Sequence, residues 1–242
     1  MWFIKKFHMS DLKIYFMNFL KFVMQWLRRN IIRREFTYKF ISNDFGYGRG
    51  IPVDRYYIHK FFLDEARFVT GSCLEFGDTT YIDKYGKEVT KKTTFNYSSE
   101  PLSLDNNLAG DITKLNTLPE DVFDCIVSVN VLNFIYDLPA AVLGLKKMIK
   151  PSGKILLTLA GVSSHISRYD MDRWGDYWRL TDKATIKLLE DAGFTIEAKQ
   201  VYGNPYSCTA QMNGFSSEEL VQSKLFPSHP DYQLIISFVL RK

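Results

Sequence analysis

Apolar runs of two kinds alternate along the chain from residue 50 onward. Helical spacing begins after Pro52, with Asp54 as the expected N-cap and YYIHKFFLDEARF as the body. A short apolar run, Ser72–Phe76, comes next and stops at Gly77-Asp78. Two β-leaning stretches succeed it, Glu88–Asn96 and Asn107–Ile112, the second containing Gly110-Asp111. Phe123–Val129 (FDCIVSV) is almost continuously apolar, the pattern of a strand covered on both faces. Asp137–Lys150 regains helical spacing through Leu138, Val142, Leu145 and Met148. Pro151-Ser152-Gly153 predicts a turn into a second buried strand, Lys154–Ala160, and Thr181–Ala192 predicts a capped helix closed by Gly193. Phe194–Tyr202 and Gln233–Leu240 complete the set as strands. Strands alternating with helices of this length predict one α/β domain with a mostly parallel sheet and helices on both faces, over residues 46–242.

Residues 1–45 have a different pattern and predict a helical arm. On a helical wheel, Asp11, Asn18, Gln25 and Arg29 of DLKIYFMNFLKFVMQWLRR align, leaving a broad apolar arc. Lys13 and Lys21 bound an uncharged run, Ile14–Leu20, too short to span a bilayer, and no small-residue cleavage site accompanies it. Two readings remain open: a helix packed on the domain or a second subunit, and an interfacial helix with rings at the acyl boundary and cations at anionic head groups.

Charge sharpens the division. The first forty residues hold nine Lys/Arg against Asp11 and Glu35, whereas the whole chain of 242 residues carries a net +4, so the body is mildly acidic. A basic arm on an acidic body favours a membrane or acidic partner through residues 1–40 and argues against nucleic acid, which needs cations across a folded face. Cys73, Cys125 and Cys208 are dispersed and odd in number, which suits free thiols in the cytoplasm rather than disulfides. Histidines and cysteines lack metal-ligand spacing, so no metal site is expected.

In an open α/β sheet, ligands gather at the carboxyl ends of the strands, so the turns after each strand form a set. They are Glu75-Phe76-Gly77-Asp78, Gly110-Asp111-Ile112 and Ser128-Val129-Asn130. An ExG turn, a GD pair, FDxI with its polar tail and KPSGKILLT, in this order, resemble the class I S-adenosylmethionine-dependent methyltransferases. GIPVDRYYIHKFF (residues 50–62) and HISRYDMDRWGDYWRLT (165–181) are further similar to bacterial methyltransferase-domain proteins associated with polysaccharide synthesis and glycosyltransferases. The resemblance covers roughly residues 48–242. It implies a Rossmann-like fold with a seven-stranded sheet, and S-adenosylmethionine as cofactor. It also implies roles: Glu75, Phe76 and Gly77 at the cofactor turn, Asp111 and Ile112 at the adenine, Ser128 and Asn130 beside the sulfonium, Arg55 and Tyr57 from a lidding helix.

The window expected to supply a ribose-binding acid reads Lys91–Tyr97, KKTTFNY, and contains none. Beyond the second buried strand, His165 has the ordinary pKa of a general base near neutrality. Asp170 and Asp172, with Asp176 beside Trp174, Tyr177 and Trp178, offer carboxylates and rings of the kind that bind sugars. The same residues also suit an aromatic plug with charge pairs such as Asp172–Arg173. Two functions are compatible with these features: methyl transfer to a saccharide or saccharide-linked acceptor, and a non-catalytic, membrane-associated assembly protein that has kept the fold.

Overall fold

The computed structural model describes residues 9–35 and 40–242. It divides into two units, residues 1–40 and 41–242. The arm's basic residues at positions 5, 6 and 39 lie outside the described residues. Among the described residues the first unit contains one helix, α1 (Met9–Glu35), in which Tyr15, Phe16, Phe19, Phe22 and Trp26 are all exposed. Among the described residues no helix is long and apolar enough to cross a membrane.

The second unit runs α2 (Val53–Glu65), β1 (Gly71–Phe76), α3 (Thr80–Tyr85), β2 (Val89–Tyr97), β3 (Leu102–Leu104), β4 (Asn107–Gly110) and β5 (Phe123–Val129). It continues with α4 (Leu138–Met148), β6 (Ile149–Ala160), α5 (Arg168–Trp174), α6 (Asp182–Asp191), β7 (Thr195–Tyr202), α7 (Pro205–Asn213) and β8 (Ile235–Arg241). All eight strands form one sheet in the order β3-β4-β2-β1-β5-β6-β8-β7. The pairs from β4 to β6 are parallel, while β3–β4, β6–β8 and β7–β8 are antiparallel. This is the doubly wound, Rossmann-like α/β arrangement. The expected seven strands are joined by an eighth, β3, whose three residues, Leu102-Ser103-Leu104, are all exposed and too few to establish a period in sequence.

Residue alternation separates the two sides of the sheet. Leu74, Ile126, Ile155, Leu157 and Phe238 pack with α4 and α6 on one face. Cys73, Cys125, Val127, Leu156 and Val239 pack with α2, α3 and α7 on the other. Each of these side chains is fully buried, which stabilises by about 1.5–3 kcal/mol apiece for the larger aliphatic ones. In α2, Tyr57, Ile58, Phe61 and Phe62 face the sheet at i, i+1, i+4, i+5 spacing.

Two local expectations are corrected. Pro52, not Asp54, precedes α2, and it supplies no side-chain cap; Asp54 sits in the first turn, where its charge favours the helix N-terminus. Pro151-Ser152-Gly153 does not separate a helix from a strand, because β6 already begins at Ile149. Phe123 pairs with Ile149 and Cys125 with Lys154, so the turn chemistry is spent on a bulge inside the strand.

Because the core elements all lie in the second unit, residues 41–242 produced alone should unfold cooperatively within about 4 °C of the full chain, the shift that roughly 1 kcal/mol causes at this size. Thermal melting monitored by circular dichroism checks this; a fall beyond about 10 °C would make the arm part of the core.

Candidate active site

The order of parallel strands reverses between β1 and β5, so the chain leaves these neighbours in opposite directions and opens a crevice at their carboxyl ends. After β1 the backbone turns at Gly77, whose φ of +87° is a conformation that glycine adopts freely. Its N–H donates to the Phe95 carbonyl at 3.0 Å, and a Cβ at this position would meet nothing within 4 Å. The backbone conformation therefore demands glycine while the adjoining space stays open.

Glu75, only 3% exposed, anchors the start of α3. Its carboxylate accepts the N–H of Tyr81 at 3.0 Å and that of Ile82 at 2.9 Å, capping the helix from within the preceding strand. Burial pushes its pKa up to about 7, against the two backbone donors that favour the charged form.

Two spaces flank this crevice. A cleft of about 440 Å³ is lined by Arg55, Glu75, Phe76, Asp78 and Tyr81, with Tyr47 and Val129 at its margin. A second cavity of about 560 Å³ shares Tyr47, Arg55 and Val129 with the first and is walled by Asn130, Asn133, His165 and Asp170. Both volumes lie in the roughly 300–1,000 Å³ range of small-molecule sites. Arg55 stands between them, donating from Nε to the Tyr47 hydroxyl and from Nη1 to the Tyr81 hydroxyl, each at 3.1 Å. Burial opposes its charge, but Asp54 and the two tyrosines outweigh this and hold the guanidinium charged.

The far wall of the larger cavity is a buried ion pair. Arg179 grips both oxygens of Asp176 at 2.6 Å and also donates to the carbonyls of Ser164 and His165. Burial works against the Asp176 charge, and the Arg179 fork and Asn133 amide overcome it, so its pKa lies below the usual carboxylate range. Asn133 donates Nδ2 to Asp176 at 2.9 Å, which sets the amide orientation and leaves its buried Oδ1 without a protein partner among the described residues. His165 likewise has a buried, unpartnered Nδ1, and burial lowers its pKa below the ordinary value.

The structure brings Arg55, Glu75 and Phe76 together at the first cleft, with Gly77 in the turn between the lining residues Phe76 and Asp78, and Asn130, His165 and Asp170 at the second cavity. Other expected site residues stand elsewhere. Tyr57 is a core residue: its hydroxyl donates to the Leu225 carbonyl and its ring stacks on Tyr202 at 5.3 Å. Ser128 is fully buried in β5, one residue short of the edge, where Val129 and Asn130 take its place. Asp172 is exposed on α5, ion-paired with Arg168 at 2.9 Å, and does not line the cavity. Asp111 and Ile112 come after β4, two strands from β1, and line neither space. Asp111 Oδ1 accepts from the N–H and hydroxyl of Thr113, and Ile112 belongs to the core. Sequence reasoning missed Asn43, Asp44, Phe45 and Tyr47, which line the larger cavity. The signal for them was Asp44-Phe45-Gly46-Tyr47-Gly48, a polar residue succeeded by spaced glycines, which is turn chemistry and not helix.

Residues 70–157 match the family described as "Methyltransferase domain", which spans β1 through most of β6. This match supports a methyltransferase with S-adenosylmethionine as its cofactor. No curated protein matches the chain. Among solved structures, the chain is similar to an S-adenosylmethionine-dependent methyltransferase from Mesorhizobium loti, at 15% identity and a TM-score of 0.49, over 75% of this chain and 98% of that one. It is also similar to such a methyltransferase from Archaeoglobus fulgidus, at 11% identity and a TM-score of 0.47, over 78% of this chain and 94% of that one. The strand order, and not these distant likenesses, carries the fold.

Glu75 also makes stability depend on pH. Its folded pKa is raised to about 7, so the folded state binds the proton more tightly than the unfolded chain. That stability is full below the unfolded carboxyl pKa and is lost as pH rises through about 7. Urea unfolding of the wild type and Glu75→Gln between pH 5 and 8 should show a wild-type decline of about 1–3 kcal/mol that the variant lacks. Parallel curves would mean that Glu75 titrates normally.

Proposed function

We propose that the chain transfers a methyl group from S-adenosylmethionine, held in the cleft beside Gly77, to a hydroxyl of a saccharide-type acceptor in the larger cavity. The observation that carries this reading is the sharing of Tyr47, Arg55 and Val129 by the two spaces, since methyl transfer requires donor and acceptor to meet in line across a short gap. When bound, the cofactor supplies an electrophilic methyl on a sulfonium. The protein's residues do the rest. Gly77 leaves backbone room for the cofactor's methionine end, and Phe76 closes one side. Asp111 and Ile112 lie outside that cleft, so a role at the adenine requires the cofactor to extend past it to the end of β4, where Asp111 Oδ1 is already taken by Thr113.

In the larger cavity, neutral His165 accepts the acceptor's proton, and Asp170 accepts a hydrogen bond from a neighbouring hydroxyl. Asp172 takes no part. A saccharide is favoured by the rings at the rim: Trp174 packs edge-to-face with Phe134 and Tyr169, and all but Phe134 are largely exposed. Flat apolar rings beside carboxylates suit a ligand with CH faces and hydroxyl edges.

A second reading, a non-catalytic assembly protein, is favoured by one feature. The carboxyl end of β2 has Thr94 and Asn96 bonded to the Asn107 amide oxygen, with no carboxylate among them. Either way, the exposed rings of α1 and the arm's cations fit an anionic membrane at the cytoplasmic face.

Calorimetry with S-adenosylhomocysteine separates the two. The wild type should bind, Asp111→Ala should lose about 1–3 kcal/mol, and Gly77→Val should bind undetectably. No heat from the wild type at millimolar ligand supports the non-catalytic reading. For the arm, co-sedimentation with phosphatidylglycerol vesicles should fall as salt rises and vanish when residues 1–40 are removed. Salt-insensitive or absent sedimentation of the full chain overturns the membrane reading.

A further inference from the structure

We infer that residues 41–50, the strap preceding α2, belong to the acceptor site, and that Phe45 is a positioning residue that holds the His165 ring against the cavity wall. The inference rests on the proposed use of His165 as a proton acceptor.

Phe45 stacks on the imidazole with ring centroids 4.2 Å apart and planes 18° from parallel. It does so from a costly backbone conformation: its φ is +60°, in the left-handed region that bulky side chains avoid. Such a conformer persists only where the surroundings over-determine it, and it is a mark of functional sites. Here the surroundings do over-determine it. The Ile41 N–H donates to the Asn213 carbonyl at 2.8 Å, and the Ser42 hydroxyl donates to that of Gly214 at 2.9 Å. Asp44 closes the turn by accepting the N–H groups of Gly46 and Gly48. Gly46 has a φ of +89° and lies so close to Ser216 N that a Cβ would be 2.7 Å away. Arg49 then pairs with Glu219 at 2.7 Å. The strap is pinned on both sides of Phe45, and its one strained aromatic residue is the one on His165.

The His165 backbone is held through its carbonyl, which accepts from Arg179 at 2.9 Å. Its Nδ1 has no protein partner among the described residues, so no hydrogen bond from the protein at that atom sets the ring's orientation. Stacking has to. The charged groups around the cavity come from every side: Asp44 on the strap, Asp54 and Arg55 on α2, Asp170 on α5, and the Asp176–Arg179 pair. Asp54 and Asp176 favour the imidazolium and Arg179 opposes it, while burial, the largest influence, favours the neutral ring. Covering one face of the ring with Phe45 is part of that burial. Removing the phenyl group should let water reach the imidazole and raise its pKa.

The test is histidine titration by NMR in the full chain, which has four histidines, with His165→Gln assigning the signal. In Phe45→Ala the His165 midpoint should rise by about half a unit or more. Phe45→Tyr should restore it, and S-adenosylhomocysteine affinity should stay within about threefold in both. Phe45→Leu, which keeps apolar bulk for folding but lacks the ring, should lie between. An unmoved midpoint in Phe45→Ala and Phe45→Leu overturns the inference. So does a midpoint shift accompanied by a tenfold loss of S-adenosylhomocysteine affinity, which would make Phe45 a general structural residue. If the wild type itself fails to bind S-adenosylhomocysteine, the methyl-transfer reading falls, yet the titration still reports whether Phe45 governs the ring.

Discussion

Two neighbouring parallel strands whose connecting segments depart to opposite sides must leave a gap between their ends. In this chain the strands are β1 and β5, with Cys73, Leu74 and Glu75 paired to Cys125, Ile126 and Val127. Sheet hydrogen bonding fixes the distance between them, so neither end can shift to close the crevice. The groups that face it are then set by the first residues past each end. Gly77 turns one chain away with no side chain in the opening, and Asn130, at a φ of +52°, turns the other. The helix α2 packs on the face of the sheet that α3 and α7 also occupy, and the strap before it lines the adjoining cavity.

Two buried carboxylates stabilise this arrangement by opposite electrostatics. Glu75 is met only by backbone dipoles, and burial drives it toward the neutral form. Asp176 meets a guanidinium fork and an amide, and stays ionised. The wall that holds Glu75 therefore takes its fixed charge from Arg55, whose guanidinium lines the same cleft. A wall built on Asp176 and Arg179 is internally neutralised, and its outward effect comes from the groups it orients, Asn133 and His165. Breaking either member of that pair would leave an uncompensated charge, which costs more than the pair contributes.

The framework was legible because burial on both faces writes apolar runs, and β5 occupies the same residues, Phe123–Val129, that its pattern predicts. Short elements were not. α3, α5 and α7 have six to nine residues, too few to establish a helical period, and α7 is set instead by the Asn204 capping box and Gly214. At the site, turn residues were legible and side-chain direction was not. Tyr57 resembles a ligand-facing ring by type, yet its spacing with Phe61 places it inward, while Arg55 reaches the crevice. The strap is hidden for a different reason. In sequence it continues the basic arm without a break, and its contribution depends on anchors at Asn213, Gly214 and Glu219, more than 160 residues away.

The neutral end of β2 bears on affinity more than on chemistry. A carboxylate there would bind ribose hydroxyls, which lie far from the reacting methyl and change little between ground and transition states. Interactions of that kind tighten the ground state and the transition state equally, and so alter how much cofactor is needed without altering the rate once it is bound. Thr94 and Asn96 can offer ribose weaker, uncharged hydrogen bonds. In the proposed reaction, the terms that would act on the displacement itself are alignment across the gap at Arg55 and Val129, and a proton acceptor in the adjoining cavity. Both belong to the β1–β5 crevice and the segments around it, not to β2. For the proposed methyl transfer, the missing ribose acid is thus a poor sign of lost catalysis, whereas loss of the His165 imidazole would be a good one.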